Sequence, residues 1–115
     1  MLKVTTKPHG DDVVQIDLDG AIDGGDSCRK IHDVIRTQLK GGRRNFVFNL
    51  GGVDWVNSLG VGFLVAAAVS AARQDAVVRL FGLTPRVDQV LRACGVVPHI
   101  WQGFESEAEA LASFE

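Results

Sequence analysis

The chain has 115 residues, 46% of them hydrophobic and 23% charged, the balance of one soluble globular domain over 1–115 that needs no disulfide or metal staple to bury a core. Twelve basic residues against fourteen acidic ones give a net charge of −2, and with no basic stripe beyond Arg43-Arg44, direct nucleic-acid binding is not expected. The longest apolar run, Val61 to Ala72, falls short of the ~20 residues that cross a bilayer, and no cationic stretch leads into an apolar one at the N-terminus, so the expectation is a cytoplasmic protein with no secretory signal and no membrane insertion.

Leu2 to Thr6 reads as an edge strand, turned back by Pro8 and Gly10-Asp11-Asp12. Val14, Ile16 and Leu18 alternate on one face of the next strand. After Gly20, Ala21-Ile22 adds a short strand before a turn at Asp23-Gly24-Gly25. A first helix is expected from Ser27 to Lys40, capped by Asp26 or Ser27, because Cys28, Ile31, Val34, Ile35 and Leu39 recur at helical spacing and Gly41-Gly42 stops it. Phe46-Val47-Phe48 is a continuous apolar run of the kind found in a strand covered on both faces. A tight glycine turn at Gly51-Gly52 then leads to a second helix from Ser58 to Arg73. Val77 to Phe81 forms another strand, and Thr84-Pro85 opens a third helix that Gly95 ends. Ile100-Trp101 is a last short strand, and Ser106-Glu107-Ala108-Glu109 has the spacing of a capping box before a C-terminal helix. Strands alternating with helices imply an α/β fold with a mixed, mostly parallel β-sheet and helices packed against it.

Cys28 and Cys94 lie far apart with no Cys-x-x-Cys, and both read as small buried hydrophobes kept reduced. His9, His32 and His99 lack ligand spacing, so no metal site is expected. Arg43-Arg44 reads as a solvated loop before a strand.

The second helix is apolar unusually far round. Phe63, Leu64, Ala67 and Ala71 form one stripe, enough to dock on a sheet, while Val61, Val65, Ala68 and Ala72 form another. Such a helix is wedged between neighbours or presents one stripe to a partner. Gly60 and Gly62 each cost the first turn about 1 kcal/mol relative to alanine, so close approach of a backbone or a partner explains them better than propensity does. At the N-cap, the Ser58 hydroxyl would accept from the amide of Gly60 or Val61, and position alone favours that capping role. A phosphate on the same oxygen would meet free amides and the positive end of the helix dipole.

The motif series resembles the STAS domain of bacterial anti-sigma-factor antagonists along nearly the whole chain. That family's pattern is Asp-Leu-Ser-Gly-Val followed by Asp-Ser-Ser-Gly-Leu-Gly at a helix start. Here Asn49-Leu50-Gly51-Gly52-Val53 is followed by Asn57-Ser58-Leu59-Gly60-Val61-Gly62, with Leu18 to Asp23, Leu91 to Val96 and Glu109-Ala110-Leu111 in matching order. The resemblance implies a regulatory module that binds a serine-kinase anti-sigma factor, is switched off by phosphorylation at Ser58, and is restored by a PP2C-type phosphatase. It implies that the turn of Asp23, Gly24 and Gly25 borders the same partner surface as Ser58, and together with the glycines and the second apolar stripe this makes Asp23, Gly24, Gly25, Asn57, Ser58, Leu59, Gly60, Val61, Gly62 and Val65 the expected partner surface. The chain departs from the pattern at Asn57, which keeps the hydrogen-bonding shape of the aspartate without its charge, and at Leu59, which replaces the second serine with apolar surface.

A second class consistent with this family is an unswitched accessory subunit, such as one of a lipid-transport ABC ATPase, or a scaffold in a stress-signalling assembly. An enzyme is the third class. No nucleophile–base pair, carboxylate pair, Walker loop or dinucleotide fingerprint is seen, so no catalytic residue and no cofactor is expected. Asp54 reads as a solvated loop residue rather than a base.

Overall fold

The computed structural model describes residues 2–97 and 101–114. Strands β1 (Lys3–His9) and β2 (Val13–Ile22) form a hairpin, turned at Gly10 with φ +69°. A 3-10 turn at Asp26–Cys28 leads into α1 (Arg29–Lys40), then β3 (Asn45–Val56), α2 (Ser58–Ala72), β4 (Val77–Phe81), α3 (Pro85–Ala93), β5 (Gln102–Phe104) and α4 (Glu107–Ala112). The sheet order is β1-β2-β3-β4-β5, antiparallel at the first pair and parallel at the others. The expected mixed α/β fold is therefore observed, because each parallel pair must be joined by a crossover.

The main core lies between one face of the sheet and α1 to α3. Ile16, Leu18, Phe46, Phe48, Leu50 and Leu80 meet Ile31, Ile35, Leu64, Ala67, Val87 and Leu91 there, all buried. Val47 points to the opposite face and packs with Phe81 and Ala110 beneath α4. The continuous apolar run in β3 thus serves two layers.

Several local expectations change. Gly51-Gly52 is not a turn. β3 runs on to Val56, and its end pairs with Asp19 to Ile22 across two register shifts, so Ala21-Ile22 is the end of β2 rather than a separate strand. A Cβ on Gly52 would lie 3.0–3.2 Å from Asp19 and the Leu18 carbonyl, which is why a glycine stands at this irregularity. Neither Asp26 nor Ser27 caps α1. The Ser27 hydroxyl instead accepts the Leu2 amide at 3.0 Å, and a 3-10 turn precedes the helix. Cys28 is buried, but Cys94 is exposed, because it stands at the C-cap of α3 past the last buried turn. Arg43 donates to the carbonyls of Gly10 and Val13, and Arg44 to that of Leu39, so this pair ties the sheet edge and the end of α1. Thr84 and Ser106 cap α3 and α4 as their spacing predicts. His99 and Ile100 lie outside the described residues. Trp101 precedes β5 rather than joining it; its indole is buried and stacks on Phe48 with ring centroids 5.2 Å apart.

Candidate functional site

Two strand ends and one helix start meet at the site. Ile22 and Val56 are paired across β2 and β3, so the turn after one and the helix after the other emerge side by side. Asn57 is extended (φ −124°, ψ 179°), and its amide donates to the Ile22 carbonyl at 3.3 Å. Its own carbonyl accepts the first helical bond from Val61, and its side-chain oxygen accepts the Gly60 amide at 2.9 Å. Asn57 is therefore the N-cap. Ser58, expected in that role, is the first residue of the helix proper. Chain direction decides this: the residue that leaves the strand in an extended conformation presents its side chain to the first turn, and here that residue is Asn57.

Ser58 is exposed, and among the described residues no hydrogen bond to its hydroxyl is found. The amides of Ser58 and Leu59 lack intrahelical partners, as at any helix start. A Cβ on Gly60 would fall inside the Ile22 carbonyl, so this glycine permits the backbone contact that seats α2 against β2. Gly62 has open space around it.

The turn after β2 is held by Asp23, whose carboxylate accepts the Gly25 amide at 2.9 Å, and by the Cys28 amide donating to the Gly25 carbonyl at 3.0 Å. Gly24 (φ +86°) presses directly against Leu59, so the turn and the helix start form one surface. On that surface Ser58, Leu59, Gly62 and Gly25 are exposed, and Asp23, Gly24 and Asn57 are half-buried, whereas Val65, also half-buried, lies two turns along α2 and lines a separate cleft with Val69, Ala72 and Trp101. Gly60 and Val61 were expected there as well. Both are buried on its underside, because the helix turns them toward Ile22 and the core.

Two neighbouring features were not read from the sequence. Trp55 is 42% exposed, with the Arg86 guanidinium 4.6 Å from its ring centroid. A groove of about 490 Å³ runs along the seam where α1 packs on α2, lined by Arg29, His32, Asp33 and Arg36 on one side and Leu59, Gly62, Phe63 and Ala66 on the other. The seven-residue spacing of Arg29 and Arg36 was the available signal for the cationic wall. No group of three or more His, Cys, Asp or Glu side chains arranged to hold a metal occurs among the described residues. No helix among them is long and apolar enough to cross a membrane.

Solved structures share this fold. A putative anti-sigma factor antagonist from Thermotoga maritima is 18% identical with a TM-score of 0.83, covering 96% of this chain and 92% of that one. The Bacillus cell fate determinant SpoIIAA in its phosphorylated form is 19% identical at 0.74, with 98% and 100% covered. A sulfate transporter family protein from Wolinella succinogenes is 17% identical at 0.78, with 88% and 83% covered. At these identities the likeness establishes the fold alone. No curated protein matches the chain. The family model of the STAS domain matches residues 5–110, and with the helix-start geometry above it places this chain in the STAS domain family.

Proposed function

We propose that this chain is an anti-sigma-factor antagonist. It is a binding module that docks on a serine-kinase anti-sigma factor through the start of α2 and the Asp23–Gly25 turn, and it is released by phosphorylation of Ser58, which a PP2C-type phosphatase reverses. The observation that carries this reading is the division of labour between two adjacent residues. Asn57 caps the helix, which leaves the Ser58 hydroxyl exposed and, among the described residues, without a hydrogen-bond partner. A phosphate on Ser58 would face the unpaired amides of Ser58 and Leu59 and the positive end of the dipole, so the fold can accept it. It would also bring about −1.5 to −2 charges beside Leu59, which is 69% exposed, and so repel an apolar contact made there. The Bacillus relative was solved in a phosphorylated form, which supports the same reading.

The test is binding to a kinase-type anti-sigma factor from the same genome. Ser58→Glu is expected to weaken binding at least tenfold, about 1.4 kcal/mol, while Ser58→Ala binds as the unmodified protein does. Equal affinity of the Glu variant and the unmodified protein would contradict the switch.

A specific feature favours the second reading, an unswitched accessory subunit of a lipid-transport ABC ATPase or a stress-signalling scaffold. The outer face of α2 carries Leu59, Gly62, Ala66, Val69 and Ala72, all exposed and none charged. Copurification with an ABC ATPase instead of a kinase would select it.

A further inference from the structure

The groove between α1 and α2 has two unlike walls. The α2 wall is apolar, built from Leu59, Gly62, Phe63 and Ala66, and α2 contains no charged residue along its length. The α1 wall presents Arg29, His32, Asp33 and Arg36. Arg29, Lys30, Arg36 and Lys40 against Asp33 give α1 a net charge of +3, with histidine neutral, in a chain whose total is −2. Positive charge is therefore concentrated on the helix that borders the exposed apolar surface. The Asp33–Arg36 ion pair, at 2.9 Å, leaves both side chains about two-thirds exposed (65% and 64%). Such a pair holds little energy and exchanges readily for another carboxylate.

The dimensions select the shape of the occupant. Arg29 and Arg36 are seven residues apart, as are Leu59 and Ala66, so each wall runs for two helical turns, roughly 10 Å. An apolar channel of that length fits the i, i+4, i+7 anchors of an amphipathic helix. We infer that this groove receives an acidic amphipathic helix of the partner protein, apolar anchors on Leu59, Phe63 and Ala66, with carboxylates seven residues apart on Arg29 and Arg36. Leu59 belongs to both the groove and the Ser58 surface, so a phosphate on Ser58 places negative charge at the mouth of the groove and repels the same acidic helix. This link to phosphorylation rests on the function proposed above, whereas the groove's preference for an acidic helix does not.

The probe is an acetylated, alanine-based helical peptide with leucines at i, i+4 and i+7 and glutamates seven residues apart, compared with its lysine-for-glutamate counterpart. Binding is read by amide chemical-shift titration of the folded protein. The glutamate peptide is expected to shift the amides of Arg29 to Arg36 and Leu59 to Ala66, and the lysine peptide to bind about tenfold more weakly at low salt. Combining Arg29→Glu with Arg36→Glu should cost the glutamate peptide about tenfold, whereas Asp33→Asn should tighten it about twofold, an effect a merely structural role for Asp33 does not produce. Raising the salt concentration should shrink all these differences. Equal binding of the two peptides, shifts mapping elsewhere, or binding of phosphatidylglycerol vesicles with no peptide binding would overturn the inference. Loss of anti-sigma-factor binding in Ser58→Glu together with no peptide binding removes this inference and leaves the proposed function. Peptide binding together with an unaffected Ser58→Glu complex keeps the groove and removes the switch.

Discussion

At the start of α2 the Gly60 amide donates to Asn57 and not to Ser58, so the capping contribution of about 1 kcal/mol belongs to Asn57. The side chain that caps the helix and the proposed phosphate acceptor are thereby different residues, one position apart. Asn57→Ala should lower unfolding stability by about 1 kcal/mol in urea titrations. Ser58→Ala should change it by less than about 0.5 kcal/mol, as an exposed side chain without a partner does. The reverse order would make Ser58 the cap and remove the argument that its hydroxyl is free. The sequence pattern puts the cap at Ser58, one residue late, for a physical reason. Asn and Ser are equally good N-caps, and the two differ only in which one leaves the strand extended, which is set by the Ile22 carbonyl that receives the Asn57 amide. Trp55 was illegible for a similar reason, since its exposure depends on the irregular register near the end of β3.

At the scale of the element, α2 combines two glycines with different tasks. Gly60 lies against the Ile22 carbonyl, whereas nothing lies within 4 Å of a Cβ added at Gly62. Gly60→Ala should therefore cost about 1–3 kcal/mol through overpacking, although alanine is the better helix former. Gly62→Ala should instead stabilise by up to about 1 kcal/mol from propensity. Chemical denaturation of the two variants checks this, and a stabilised Gly60→Ala would show that α2 is not seated on β2 in this way. The helix itself was legible, because its apolar positions repeat and its limits are marked: Ser58 begins it and it ends at Ala72, one residue short of expectation. The same logic located α3 from Thr84-Pro85 and α4 from Ser106. The β3 extension was not legible, because Gly51-Gly52 carries a turn signal that the parallel partner β2 overrides by pairing through it. The cationic wall of α1 was missed because its meaning depends on which helix stands opposite.

At the scale of the molecule, the parallel order β2-β3-β4-β5 gathers the loops that follow the strands along one edge of the sheet, where α/β folds commonly place their binding sites. The Asp23–Gly25 turn, Trp55, Asn57 and Ser58 all sit at the ends of β2 and β3, and their adjacency follows from the Ile22–Val56 pairing. The core beneath the site, with Ile22, Val56, Val61 and Leu64 among its members, is closed by this chain's own helices, and α4 covers part of the opposite sheet face with Val47, Phe81 and Ala110. A ligand at the start of α2 can thus be gained or lost while the sheet and core persist. Incubation with a kinase-type anti-sigma factor and ATP, followed by intact-mass measurement and site mapping of this chain alongside the fraction still complexed, tests the proposed switch most directly. A single phosphate on Ser58, a folded protein and a dissolved complex are expected. A complex that persists with Ser58 phosphorylated, or a phosphate found only at another residue, would contradict it.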